Sequence, residues 1–150
     1  MADDGGLSSF QRRMRAVPQA ARLAVRPALL REAGRIVATM KALAPVDEGD
    51  LKNSLAVTGP NSMTPPYSQP GGAMVVPELT AVITAGNADV RYAHLVEFGT
   101  RARMLASARQ AGFHPGTVAQ PFFWPGFRVH RKKSVAAIKR AIGKAIREAK

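Results

Sequence analysis

YAHLVEFGT, residues Tyr92 to Thr100, is the stretch around which the rest of the chain is arranged, and Arg101 and Arg103 follow it directly. Tyr92, Leu95, Val96 and Phe98 offer a large apolar payload, and Gly99 is the natural place for a backbone bend that a side chain would obstruct. The segment reads as a packed corner. Glu97 is its odd member, because a carboxylate between Val96 and Phe98 must reach water or find a partner. Arg101, Arg103 or an arginine of another chain would supply a salt bridge, and backbone amides would serve as well. The expectation is that Glu97 pins the corner, within the chain or across a subunit boundary.

Upstream of the corner, Ser8 with Gln11 three residues later forms a candidate capping box for a first helix, which Pro18 is expected to end or bend. Residues 1–19 are therefore read as a short or frayed helix. From Ala20 to Leu43 the residues Leu29, Leu30, Ala33, Ile36, Val37 and Met40 recur at helical spacing and share one face. Pro27 either kinks this helix or opens it. Pro45 stops it, and Val46-Asp47-Glu48-Gly49 reads as a turn in which Asp47 accepts from amides ahead of it. A strand is expected over Leu51 to Thr58, and a second one, alternating over Leu79 to Ala85, is expected to pair with it antiparallel. Between them, residues 59–77 hold five prolines and the pair Gly71-Gly72, a long loop that a neighbouring copy would order in a ring-forming protein.

Downstream, residues 101–120 read as a second long loop, with one helical turn over Met104 to Gln110. Pro121-Phe122-Phe123-Trp124-Pro125 carries too much aromatic area to leave in water and is bounded by prolines, so it must dock on the core or on a partner. A last helix is expected from Val129. Its apolar stripe, Val135, Ile138, Ile142, Ala145, Ile146 and Ala149, should lie on the sheet or the first helix, with Lys133, Arg140, Lys144 and Arg147 on the other side. The pattern is that of an α+β domain spanning residues 1–150: a long N-terminal helix, a small, mostly antiparallel sheet with long loops, and a C-terminal amphipathic helix.

The chain carries a formal charge of +12. The excess lies in the two helical ends, while the centre is nearly balanced, so the basicity belongs to helix surfaces. Solvated faces are one reading and a nucleic-acid partner another, although no helix-turn-helix, zinc or stacking motif accompanies the charge. There is no cysteine, hence no disulfide framework and no thiolate metal site. No signal-peptide pattern opens the chain and no stretch approaches the ~20 apolar residues of a membrane span, so a soluble, cytoplasmically made protein without membrane contact is expected. His94, His114 and His130 lack metal-ligand spacing, and Asp47, Glu48 and Asp50 read as a solvated acidic turn. Neither a nucleophile motif nor a phosphate-cradling glycine loop is present, so neither an enzyme nor a cofactor is expected.

Three stretches in order carry a family resemblance. APVDEGDLKNSL (Ala44 to Leu55, with Asp47, Gly49, Leu51 and Ser54), YAHLVEFGT (with Tyr92, Ala93, Val96, Glu97, Phe98, Gly99 and Thr100) and QPFFWPGF (Gln120 to Phe127, with Pro121, Phe122, Trp124 and Pro125) resemble the signature blocks of the gene-product-ten-like neck, head-tail joining and tail-completion proteins of tailed phages. Glu48 stands where that family usually has threonine, and Gly126 where it usually has alanine. The resemblance implies a structural virion protein of the neck or head-proximal tail, joining head to tail or completing the tail. It also implies a ring of copies, hexameric to match tail symmetry or dodecameric, in contact with neighbouring neck and tail proteins and surrounding passing double-stranded DNA. The motif residues are then candidate interface positions, and Lys133, Arg140, Lys144 and Arg147 candidate contacts to DNA or a partner. The competing function is a sequence-independent nucleic-acid binder that uses the two basic helices.

Overall fold

The computed structural model describes residues 7–107 and 110–149, and its first element is the expected long N-terminal helix, continuous through the segment read as a separate short or frayed one. α1 (Leu7–Leu43) is one helix of 37 residues that runs through both Pro18 and Pro27, about 55 Å long at helical rise. A proline inside a helix leaves the carbonyl four residues earlier without its donor. Here those carbonyls belong to Met14 and Leu23, which are 61% and 78% exposed, so water takes the lost bonds and the helix continues. Ser8 lies within the first helical turn, not ahead of it; the residues before Leu7 lie outside the described ones.

α2 (Asp50–Asn53), β1 (Ala56–Thr58), β2 (Val82–Thr84), α3 (Ala93–Phe98), β3 (Arg103–Ser107), β4 (Gln110–His114) and α4 (Phe123–Glu148) follow. The class is α+β with antiparallel strands, but the strands form two separate pairs, β1–β2 and β3–β4, instead of one sheet. β1 and β2 pair in the expected sense, Ala56 opposite Thr84 and Thr58 opposite Val82. The start of the first expected strand is helical: Leu51 is in α2, whose N-cap is Gly49 at φ 94°, with no side-chain cap. Asp47 is exposed and caps nothing. The segment expected as loop and one helical turn after Arg101 is instead the β3–β4 hairpin.

The proline-rich segment 59–77 folds back on itself. Thr64, buried, donates its hydroxyl to the Gly72 carbonyl at 2.7 Å and accepts the Met74 amide at 2.9 Å. Gln69 and Ala85 exchange backbone hydrogen bonds of 2.8 and 2.9 Å, which ties the loop to the residue that follows β2. The Arg91 guanidinium lies over the Tyr67 ring at 3.9 Å, a cation–π contact between this loop and the approach to α3.

α4 begins six residues before the expected Val129, because Pro125 sits in its first turn, where a missing N–H costs nothing. It packs antiparallel on α1. Ser134 donates to buried Glu32 at 3.1 Å, Thr39 and His130 share a 2.7 Å hydrogen bond, and Gly126 lies against Met40. A Cβ on Gly126 would fall 2.7 Å from Met40 Cγ and 3.2 Å from its backbone, so the usual alanine of the related blocks does not fit this crossing. The seam on α1 runs through Gly126, His130, Ser134, Ala137 and Ala141, and all but His130 are small residues that let the helices approach. Of the expected apolar stripe, Ala145 borders the α1–α4 groove and Ile138, Ile142 and Ala149 are half-buried, while Val135 and Ile146 remain 47% and 41% exposed. The core gathers Ile36, Val37 and Met40 of α1 with Leu51, Leu55, Ala85, Val90, Ala93 and Phe122.

Candidate functional site

Glu97 is 6% exposed and closes the corner with three hydrogen bonds. Its Oε2 accepts the amides of Phe122 at 2.7 Å and Phe123 at 2.9 Å, and its Oε1 accepts that of Trp124 at 3.1 Å. These are the amides that the start of α4 leaves without intrahelical partners, and a negative group there also meets the positive end of the helix dipole. The next residue, Pro125, has no amide to satisfy. Glu97 therefore pins the corner through amides within the chain. Among the described residues neither Arg101 nor Arg103, both exposed, pairs with it.

The i, i+4 pair Ala93 and Glu97 forms the inward face of α3, and this decides where the large side chains go. Tyr92, Leu95 and Phe98 lie at the opposite spacing and are 44%, 42% and 68% exposed, with Val96 half-buried. The apolar payload expected inside the corner points mostly outward. Gly99 ends the helix at φ 70°, and a Cβ there would come within 2.6 Å of the Thr117 carbonyl oxygen, so a side chain is excluded on two counts. Thr100 then bridges to Thr117 through backbone hydrogen bonds of 3.0 and 3.1 Å.

The three sequence blocks converge on α3. From the first, Leu51 enters the core, and buried Ser54 donates to the Leu51 carbonyl at 2.7 Å and accepts the Gly86 amide at 3.1 Å. Asp47 and Gly49 belong to the turn that, with Glu48 and Asp50, borders a hollow of about 340 Å³ shared with Tyr92 and Gln120. From the third, Phe122 is fully buried and Pro121 exposed. Trp124 is 40% exposed and meets Phe123 and Phe127 edge-on at 5.5 and 6.1 Å. A notch of about 130 Å³ opens between α3, the start of α4 and the Gln69-Pro70 loop. Among the described residues no group of His, Asp and Glu is placed to hold a metal ion.

A family model described as "Bacteriophage HK97-gp10, putative tail-component" matches residues 8–99, more than half of the chain. The chain belongs to the HK97-gp10-like family. The match runs from the first turns of α1 to Gly99, so it takes in the blocks at Ala44 and Tyr92 and stops before QPFFWPGF. No curated protein and no solved structure gives a significant match. This family groups the chain with structural components of phage tails, and among the described residues no helix is long and apolar enough to cross a membrane.

In this HK97-gp10-like chain the basic candidates stand apart from the corner. Lys133, Arg140, Lys144 and Arg147 are all exposed and begin about 15 Å along α4 from its start. Arg140 and Lys144 border the α1–α4 groove beside Ala28, Arg31 and Ala141 instead of facing away from it, and Lys144 lies 3.8 Å from Glu148. Sequence reasoning passed over Glu32. It is 4% exposed, takes a 3.0 Å hydrogen bond from Arg35 and ties α1 to Ser134 of α4. Its position in register with Leu29 and Ile36 was the available signal: an acid on the apolar face of a helix needs a buried partner.

Proposed function

We propose that this chain is a structural subunit of the neck or head-proximal tail of a tailed-phage particle, where a hexameric ring of copies completes the tail and meets the neighbouring neck and tail proteins. The observation that carries this reading is the outward set of large apolar side chains, Tyr92, Leu95, Phe98 and Trp124, on a backbone that Glu97 holds rigidly. Clustered apolar exposure on an ordered element marks a protein-contact surface. Membership in a family of phage tail components supports the same reading.

The second reading rests on charge. Side-by-side packing of α1 and α4 brings Arg31, Arg140 and Lys144 to one groove, a surface for phosphate contact that binds without sequence preference and weakens with salt. In a ring around the DNA passage the two readings coincide. Removing the gene from the particle's genome separates them: DNA-filled heads and unjoined tails are expected to accumulate. Normal, infectious particles would contradict the structural role, and joined particles with defective DNA retention would favour the nucleic-acid reading.

A further inference from the structure

The β3–β4 hairpin stands away from the rest of the molecule. It is anchored at its root by the Thr100–Thr117 bridge, where the two hydroxyls also lie 3.1 Å apart, and no other described helix or strand packs extensively on it. A two-stranded hairpin alone is marginally stable in water. Its register sets Arg103 opposite His114 and Met104 opposite Phe113, and strand alternation sends the two pairs to opposite faces. Arg103 and His114 look into a hollow shared with Tyr92, Leu95 and Val96. Met104 and Phe113 form an apolar cross-strand pair on the far face, 74% and 67% exposed.

We infer that Phe113, flanked by Met104, is the knob of a head-to-tail contact between two copies of this chain, and that the socket is the notch between α3 and the start of α4. This rests on the ring reading and assigns the surfaces that would build it. The socket floor is Ala85, Ala93 and Phe122, all buried, and its rim is Pro70, His94, Phe98 and Trp124, all exposed. Its volume is about 130 Å³. An apolar cavity of about 150 Å³ accepts a benzene ring, so one phenylalanine ring fills this one. Met104 then meets the aromatic rim, a favourable sulfur–ring contact.

Charge argues that the partner is a second copy. A chain of net charge +12 repels itself in general. Three of its ten acidic residues, Asp47, Glu48 and Asp50, nevertheless stand exposed together at the start of α2 beside Tyr92, the residue that leads into α3, and α3 lines the socket. Arg101 stands exposed at the foot of the hairpin, outside the hollow that Arg103 faces. A knob entering the partner's socket carries Arg101 toward the partner's acidic turn, which fixes the register of the contact. Knob and socket are different surfaces of one chain, so the contact is heterologous and closes into a ring when the rotation permits.

The absence of cysteine makes the test clean. Particles carrying the chain with Phe113→Cys and His94→Cys together, both at exposed positions, are purified and oxidised. A ladder of covalent multimers that collapses on reduction is expected, while each single substitution leaves monomer. Particles that contain the double variant only as monomer would overturn the contact, whether the thiols stay free or close within one chain. Phe113→Ser should leave the melting temperature of the isolated protein unchanged and lower incorporation into particles roughly tenfold or more, the loss of a central aromatic anchor. Unchanged incorporation would also overturn it. Absence of the unsubstituted chain from particles would instead sink the ring reading itself.

Discussion

Glu97→Gln should destabilise the isolated protein by about 3 kcal/mol. A glutamine that keeps its carbonyl at the Oε2 position still accepts from Phe122 and Phe123, but it turns an NH2 group toward the Trp124 amide. A buried donor left unmatched costs about 1–3 kcal/mol. The charge that strengthened all three bonds and met the helix dipole is also lost, a term of up to ~2 kcal/mol in partly buried geometry. For a chain of this size each kcal/mol shifts the midpoint by roughly 2–4 °C, so thermal unfolding should fall by about 6–12 °C. An unchanged melting temperature would show that the start of α4 does not need the carboxylate.

Phe122→Ala should cost about 3–5 kcal/mol, the range for deleting a fully buried aromatic side chain. Phe122 is wholly inaccessible and packs among Met40, Leu51 and Ala93, where the three sequence blocks meet. Its loss removes both packing area and the floor of the notch. Denaturant unfolding should show the midpoint moved with little change in slope. A loss below about 1 kcal/mol, the level of an exposed position, would mean that Phe122 is not the anchor of the corner.

Much of this corner was legible in the chain. An acid between Val96 and Phe98 announces a need for partners, and Gly99 announces a bend, because both are statements about what a residue cannot do. The partner was harder to name. Pro121 and Pro125 look like breakers, yet a proline in a first helical turn gives up nothing, so the start of α4 and the amides it offers were hidden. The same local reasoning has Pro18 end or bend the first helix and Pro27 kink or open the next, where α1 runs on through exposed turns. Closeness in sequence grouped Tyr92, Leu95 and Phe98 as one apolar payload but left open the direction they face, since the inward side of α3 is decided by Glu97 reaching α4. The hairpin escaped for another reason. Met104 to Gln110 is rich in residues that suit a helix, and no Asn-Gly or Asp-Gly turn marks the reversal, so strand pairing across it left no local trace.

Phe122 and Trp124 separate stability from assembly. The first is buried and the second is 40% exposed on the rim of the notch, so substitution of Phe122 acts on the fold, while Trp124 belongs to the surface proposed above to meet other proteins.

The most direct measurement is the position of the chain in an intact particle. Electron microscopy of particles carrying a tagged copy should show the tag as one ring at the junction of head and tail, with the hexameric symmetry of the tail. Tags spread along the tail, confined to its distal tip, or absent from particles that are otherwise complete would contradict the account.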